Sequence, residues 1–255
     1  MSYKNILYTE KDQIAEVILN RLEKMNSLDE VLIMELTQLF SEIGKNENVK
    51  SVVISGAGGN FCSGLYLDYL QKISEFDILQ NKEDSRRFKD MLLSIYNCPK
   101  PVIAKVQGYA LAGGCGIVSC CDFVIADETA KFGYTEVKIG FIPAIVMVFL
   151  LKRVSEAHAR DLFLTARHIN PVDAYRIGLV NEIVRHDELD SKVKELCDTL
   201  GKNSSNSIAL TKEMFRNVPS MSFENALEYA CDLNAKTRMT EDCKTGVAKF
   251  LNKNK

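Results

Sequence analysis

The chain has 255 residues, of which 46% are apolar and 26% charged, enough to bury a sizeable core in one large domain or one and a half. The 32 basic residues are balanced by 34 acidic ones, and a net charge of −2 with a pI near 6.0 excludes the basic surface typical of nucleic-acid-binding proteins. No apolar run approaches membrane-spanning length and the N-terminus has no apolar signal segment, so we expect a cytoplasmic protein.

The eight cysteines and three histidines limit the sulfur and metal chemistry that is available to the chain. The cysteines form no Cys-x-x-Cys pair and most lie in apolar contexts, which indicates buried free thiols in a reducing compartment. The histidines (His158, His168 and His186) have no ligand partners at zinc spacing. We therefore predict that the protein has no metal site.

Strands and helices are predicted to alternate in the first part of the chain. An edge strand around residues 6–8 precedes a strand over residues 14–20, and Ser27 with Glu30 fits a capping box for a helix that ends at Gly44. A short buried strand at residues 51–55 leads into a glycine-rich turn at residues 56–64. Residues 76–82 are interpreted as a mobile polar connection, and residues 84–97 as an amphipathic helix that stops at a Cys-Pro pair.

The second part continues the alternation and then changes to helices alone. Strands are predicted at residues 101–106, 122–126 and 179–184, with Pro143 opening an apolar helix and Ser155 capping the next. Helices follow at residues 188–200, 208–217 and 223–239, the last behind a Ser222 cap, with a short final helix. The pattern predicts an α/β core over residues 1–187 and a helical region over residues 188–255.

A glycine run lies where the strand at residues 101–106 gives way to a helix. Gly113, Gly114 and Gly116 remove side chains at the helix start, so that free backbone N–H groups and the positive end of the helix dipole can face a ligand. The alternative is a tight turn that only lets the strand and the helix approach each other. A second glycine-rich turn, at residues 56–64, raises the prospect that two such turns converge on one site.

Three better-known glycine motifs do not fit these turns. In the turn that begins Gly56-x-Gly58, the third glycine of a dinucleotide fingerprint falls on Phe61, and no acidic residue closes a following strand. The lysine of a phosphate loop is missing. Ser63 has the wrong spacing for a Gly-x-Ser-x-Gly elbow.

Five segments of the chain form a further pattern. They are Leu19-Asn-Arg-Leu-Glu-Lys-Met-Asn-Ser-Leu28, Phe61-Cys-Ser-Gly64, Val106-Gln-Gly-Tyr-Ala-Leu-Ala-Gly-Gly-Cys115, Cys121-Asp-Phe-Val-Ile-Ala126 and Phe132-Gly-Tyr-Thr-Glu-Val-Lys-Ile-Gly-Phe-Ile-Pro143. Together they resemble the crotonase family, the enoyl-CoA hydratase/isomerase superfamily. The resemblance implies a spiral of ββα repeats and a C-terminal helical region that covers the active site and mediates homotrimers, often stacked as hexamers.

The resemblance also gives roles to individual residues. The N–H groups at Ser63 and Gly113 would hold the thioester oxygen of the substrate, whose charge grows as an enolate forms. The residues that would contact the coenzyme A part of the substrate are Lys24, Met25, Ser63, Gly64, Leu65, Tyr66, Gly113 and Lys253. For Lys24, which could meet a phosphate, a solvated surface lysine is an equal alternative. Tyr66 departs from the aspartate frequent in the family. No cofactor apart from the substrate's own coenzyme A is implied.

The acid and base residues distinguish this chain from two-carboxylate hydratases. The first family glutamate is replaced by Gly116, whereas the second is present as Glu136, among apolar neighbours that favour a raised pKa. One-glutamate members include enoyl-CoA isomerases and a hydratase subgroup similar to methylglutaconyl-CoA hydratases and the dehydratases of polyketide β-branching. The second pattern is closer, so we predict hydration of an enoyl thioester, possibly β-branched, carried by CoA or a carrier protein. An isomerase and a non-catalytic acyl-CoA-binding homologue are the alternatives.

Overall fold

The computed structural model describes residues 3–253, without the side chain of Lys253, so the CoA contact predicted for that lysine lies outside the described residues. A six-stranded sheet in the order β1-β2-β3-β4-β6-β8 forms the centre, antiparallel between β1 and β2 and parallel elsewhere, and β5 pairs with β7 in a small parallel sheet. The strands are β1 (Ile6–Lys11), β2 (Ile14–Leu19), β3 (Ser51–Gly56), β4 (Val102–Val106), β5 (Tyr109–Leu111), β6 (Phe123–Asp127), β7 (Lys131–Gly133) and β8 (Glu182–Val184).

The helices lie between the strands and after them. They are α1 (Glu30–Lys45), α2 (Leu67–Ser74), α3 (Ile78–Tyr96), α4 (Gly113–Cys120), α5 (Ala144–Leu150), α6 (Glu156–Thr165), α7 (Pro171–Arg176), α8 (Leu189–Gly201), α9 (Ser205–Asn217), α10 (Phe223–Arg238) and α11 (Glu241–Lys253). Within residues 3–253 no helix is both long and apolar enough to cross a membrane. The predicted α/β class with a helical C-terminal region is confirmed.

The central strands are buried because helices cover both faces of the sheet. Every residue of β3 is buried, as expected of parallel strands that are covered on two sides. The larger core joins one face to α1, α3 and α4. On the other face, Leu189, Val193 and Cys197 of α8 pack against a smaller apolar cluster that includes Ile103 and Ile125.

Helix α8 therefore belongs to the sheet by its packing. The predicted division at residue 187 places this helix in the C-terminal region, and the contacts of α8 with β3, β4 and β6 run across that division. Helix α10 contacts both α9 and α11. Helix α9 is joined to the α/β core through Lys212, whose ammonium group donates to the Lys100 carbonyl at 2.8 Å and pairs with Asp122.

Two helix starts differ from the sequence prediction. Helix α1 is capped by Asp29, whose carboxylate accepts from the Leu32 N–H at 3.0 Å, whereas the Ser27 hydroxyl is buried without a partner. Helix α3 begins at Ile78 behind a capping box of Asp77 and Gln80, so most of the predicted mobile connection is helical. Side-chain caps satisfy the free N–H groups of a first helical turn. At both helices the predicted and the observed capping residues lie only a few positions apart in the sequence.

Candidate active site

The two glycine turns meet, as the sequence suggested. Gly64 has a left-handed backbone (φ +93°), and a Cβ built on it would lie 2.9 Å from the Cβ of Ala112 and 3.6 Å from the Gly113 nitrogen. A Cβ on Gly114 would lie 2.3 Å from the Cys62 carbonyl oxygen, closer than atoms can approach. Glycine is required at both positions because the start of α4 packs directly on the segment after Phe61.

Gly113 supplies a free backbone N–H at the start of α4. It is the first residue of the helix, so no intrahelical acceptor is available to it, and no other acceptor for this N–H occurs among residues 3–253. The preceding Ala112 has φ +47° and ψ −119°, which is unusual for a residue with a side chain. Backbone strain of this kind is concentrated at functional sites, where surrounding structure holds it in place.

The prediction that the Ser63 N–H is the second donor is wrong. Its N–H donates to the Met25 carbonyl oxygen at 3.1 Å, so it is not free to bind a ligand. Two residues later, Leu65 pairs with Leu28 as a parallel bridge, in which the Gly64 carbonyl and the Tyr66 N–H face Leu28. Because successive N–H groups of an extended segment point in opposite directions, the Leu65 N–H faces away from Leu28, and it has no acceptor among the described residues.

Glu136 begins a short 3₁₀ turn, Glu136–Ile139, three residues after β7. Its Oε2 atom is buried and has no hydrogen-bond partner, and no cation pairs with this carboxylate within residues 3–253. Burial raises the pKa of Glu136 above its ordinary value, and the backbone N–H groups of Glu136 and Thr135 oppose that rise only in part. A buried polar atom without a partner is rare in folded proteins, and it marks Glu136 as a functional candidate.

These groups line one cavity of about 700 Å³. Its wall combines Leu65 and Gly113 with Glu136, and most of the rest is apolar, contributed by α2, α3, α5 and the segment after Glu136. The polar lining residues are Ser63, Asn81, Asp84, Ser85, Thr135, Glu136 and Lys138. A concave, mostly apolar site with a few converging polar groups is the usual form of a small-molecule binding pocket.

Val146 of α5 occupies the space beside Gly116. A Cβ on Gly116 would lie 2.5 Å from Val146 Cγ1 and 3.3 Å from Val146 Cβ. Both residues are buried, and Val146 lines the cavity. The position of the glutamate missing from α4 is therefore filled by a side chain from another helix.

The remaining predicted CoA contacts lie beside the cavity rather than in its wall. The ammonium group of Lys24 lies 4.0 Å from the centre of the Tyr66 ring, and the Arg21 guanidinium lies 5.4 Å from the same ring. Met25, with a left-handed backbone and a half-exposed side chain, links this group to Ser63 through its carbonyl. The structure thus brings Lys24, Met25 and Tyr66 together next to Leu65.

Sequence reasoning missed the donor role of Leu65, which was predicted only as a CoA contact, and the polar residues that α3 contributes to the cavity. The free Leu65 N–H could have been inferred from strand alternation once the partner of the segment was known, but that partner, Leu28, is 37 positions away. Asp84 and Ser85 reach the cavity from α3, and no motif singled them out. Within residues 3–253, no cluster of three or more His, Cys, Asp or Glu residues is placed to hold a metal ion.

Comparison with known proteins agrees with the fold. The family described as Enoyl-CoA hydratase/isomerase matches residues 9–255. A crotonyl-CoA hydratase of Syntrophomonas wolfei is 31% identical over 257 residues, covering 100% of this chain and 98% of the relative. A short-chain-enoyl-CoA hydratase of Clostridium acetobutylicum is 31% identical over 262 residues, covering 100% and 97%. The crystal structure of an enoyl-CoA hydratase from Shewanella pealeana covers 98% of this chain and 94% of its own, with a TM-score of 0.94 and 29% identity.

Proposed function

Since the chain belongs to the enoyl-CoA hydratase/isomerase family, we propose that it catalyses the reversible addition of water to an enoyl thioester with Glu136 as its single acid and base. The observation that carries this proposal is the Glu136 carboxylate, whose Oε2 atom is buried without a hydrogen-bond partner, in the wall of a cavity that also holds the free N–H groups of Gly113 and Leu65. A carboxylate and two donors are the groups that enolate chemistry requires.

The two N–H groups would stabilise the charge on the thioester oxygen. Water adds at the β carbon and a proton adds at the α carbon, and the intermediate between these events is an enolate with its charge on that oxygen. Fixed backbone donors gain strength as the charge develops, because they are oriented before the reaction in a mostly apolar cavity. Gly113 and Leu65 suit this role better than Ser63, whose N–H is already bonded to Met25.

Glu136 would serve both proton transfers. As an anion it accepts a proton from water while the oxygen attacks the β carbon, and as an acid it returns that proton to the α carbon from the same side. Its raised pKa favours this exchange near neutral pH, because a general base works best when its pKa is close to the operating pH. Val146 beside Gly116 leaves no space for the second carboxylate found in two-glutamate enzymes.

The substrate brings its own coenzyme A or carrier-protein arm, and we propose no separate cofactor. Lys24, stacked on Tyr66, is suited to meet a phosphate of that arm, and Met25, Gly64 and Tyr66 form the neighbouring surface. The apolar remainder of the cavity favours a hydrocarbon acyl group, and the β-branched class stays part of the proposal. The eight free thiols suit a reducing cytoplasm.

The test is loss of enoyl absorbance with straight and β-branched 2-enoyl thioesters, each offered on CoA and on a carrier protein. Hydration of at least one of them is expected. The isomerase alternative has one observation in its favour, the glycine at position 116 in place of a second glutamate, since moving a double bond needs only one proton shuttle. Conversion of a 3-enoyl to a 2-enoyl thioester without hydration would replace our proposal by that alternative, and binding without turnover would replace it by a non-catalytic role.

We also propose that the protein acts as a homotrimer, alone or stacked as a hexamer, with the C-terminal helices covering the active site. Phe215 of α9 and Phe223 of α10 are each about three-quarters exposed in the single chain (74% and 75%). Large exposed apolar side chains on neighbouring helices favour a surface that another chain covers. Light scattering at micromolar concentration should give three or six chains. A strictly monomeric, active protein would contradict this assembly.

A further inference from the structure

Tyr134 is buried almost completely, with 1% of its surface exposed, and lies two residues before Glu136. Its ring packs against Phe163 of α6 with the ring centres 4.7 Å apart. Its hydroxyl lies 2.8 Å from the Ser119 hydroxyl and 3.4 Å from the Cys115 carbonyl oxygen, and both partners are on α4. The hydroxyl thus joins the segment that carries Glu136 to the helix that carries Gly113.

The segments that carry Gly113 and Glu136 separate where the small sheet of β5 and β7 ends. Strands β5 and β7 end on the pair Leu111 and Gly133, and the Ala112 N–H donates to the Gly133 carbonyl at 2.8 Å. Beyond this point the chain after β5 enters α4 at Gly113, whereas the chain after β7 continues to Glu136. In the part of the chain that the structure describes, the contacts of the Tyr134 hydroxyl are the only hydrogen bonds that join residues 134–139 to α4.

The Ser119 side chain would remain satisfied if the Tyr134 hydroxyl were removed. Its hydroxyl also donates to the Cys115 carbonyl at 3.1 Å. The contact of the Tyr134 ring with Phe163 does not involve the hydroxyl. Replacing Tyr134 by phenylalanine therefore removes the link between the two segments and leaves the packing and the backbone of α4 in place.

We propose that the Tyr134 hydroxyl is a positioning group that holds Glu136 at a fixed separation from the first turn of α4, so that the carboxylate and the Gly113 N–H act on the same substrate. The inference rests on the hydratase function proposed above. Catalysis by positioned groups is sensitive to displacements of about 1 Å, which can cost on the order of a hundredfold in rate. Substrate binding, which is spread over the cavity, depends much less on this link.

The electrostatic surroundings of Glu136 make the link measurable. From α4, the titratable neighbour is Cys115, whose pKa burial raises to about 12, and from its own segment it is Tyr134, whose pKa burial raises well above the ordinary value. Lys138 of the same turn and Asp84 of α3 are the charged residues that line the cavity with Glu136. The rise in the pKa of Glu136 comes from its burial, and no charged neighbour contributes to it. If Glu136 moves and gains water, its pKa falls toward the ordinary value of 4.5.

The experiment compares Tyr134→Phe, Ser119→Ala and the double variant with wild type, using Tyr8→Phe as the matched control. The Tyr8 hydroxyl donates to Glu10 on the edge strand β1, outside the cavity wall. We expect Tyr134→Phe to lower kcat about tenfold with KM within about twofold, and to move the acid limb of the kcat/KM profile to lower pH. Ser119→Ala should act in the same direction but less, because the contact of Tyr134 with Cys115 remains, and the double variant should be no worse than Tyr134→Phe.

A second measurement needs no turnover. The Glu136 carboxyl carbon can be titrated by NMR in protein labelled at glutamate, its resonance being the one that Glu136→Gln lacks. A lower pKa in Tyr134→Phe, with no change in Tyr8→Phe, is expected. Absence of hydration by wild type would contradict the proposed function, and the titration alone would then decide whether the Tyr134 hydroxyl positions Glu136. Unchanged kcat and an unchanged Glu136 pKa in folded Tyr134→Phe would overturn the inference and leave the function standing.

Discussion

Helix α4 contributes Gly113 to one wall of the cavity and packs Gly116 behind Val146 of another, and the two walls carry opposite chemistry. At its first residue, Gly113 presents a free N–H to the wall that also holds Glu136. One turn later, Gly116 presents no polar group, because its N–H bonds to the Ala112 carbonyl and its missing side chain is replaced by Val146. One wall is built from unpaired polar groups and the other from close apolar packing.

The difference shows how one helix can both donate a hydrogen bond to a ligand and pack against apolar side chains. Only the first N–H groups of a helix lack an internal acceptor, so donation to a ligand is confined to the first turn. From the fourth residue on, the backbone is bonded within the helix and only side-chain volume can matter. A side chain would be tight at Gly113, where Leu28 and Phe88 lie 3.1 and 3.3 Å from an added Cβ, and would clash at Gly116, where Val146 lies 2.5 Å from it.

The largest effect should come from neutralising the polar wall. Glu136→Gln keeps the shape but cannot accept and return a proton, and loss of a general acid–base group commonly costs about a hundredfold to ten-thousandfold in rate. The matched control is Asp84→Asn, which removes the other carboxylate of the cavity, one that accepts from the Tyr69 hydroxyl. We expect kcat to collapse in the first variant and to change far less in the second, with thioester binding retained in both. Wild-type hydration by Glu136→Gln would sink the mechanism.

Removing the donor of the polar wall should come next. Gly113→Pro deletes the N–H, and the loss of one such donor typically costs about a hundredfold or more in kcat. Gly113→Ala is the control, because it adds a Cβ in the same crowded place, 3.1 Å from Leu28 and 3.3 Å from Phe88, but keeps the N–H. Steady-state kinetics on the two folded variants separates the donor from the crowding. If the two lost kcat equally, the donor assignment would fail.

On the apolar wall, a carboxylate should harm the fold without helping the reaction. Gly116→Glu must displace Val146 and bury a charge, and overpacking alone costs about 1 to 3 kcal/mol. We expect a lower midpoint in denaturant titration and no gain in hydration. The cycle of Gly116→Ala with Val146→Ala tests the cause, because removing the valine should make the added methyl group less costly. Additive effects would show that the two residues do not compete for the same space.

The smallest effect is a pH dependence that belongs to the polar wall alone. Because folding raises the pKa of Glu136, the folded chain binds more protons than the unfolded chain between the ordinary value of 4.5 and the raised value. Stability from this group is therefore present below 4.5 and is lost as pH rises through the raised pKa. Glu136→Gln lacks this loss, so its Tm relative to wild type should increase with pH across that window. A difference in Tm that did not change with pH would contradict the raised pKa.

The sequence by itself determined much of this protein. The apolar runs predicted the strands of the central sheet, the glycine runs predicted two turns at one site, and Glu136 was identified before its surroundings were known. The strands and turns depend on local backbone preference and on residue type, which a single chain displays directly. Glu136 was identified because its segment resembles that of the crotonase family.

Tertiary structure decided the rest, because the deciding partners are distant in sequence. The Met25 carbonyl accepts the hydrogen bond of the Ser63 N–H, and the pairing of Leu65 with Leu28 directs the Leu65 N–H toward the cavity. Val146, thirty positions after Gly116, fills the space where a second carboxylate would lie. Hydrogen-bond pairing and excluded volume act between neighbours in space, so neither could be assigned until the chain was folded.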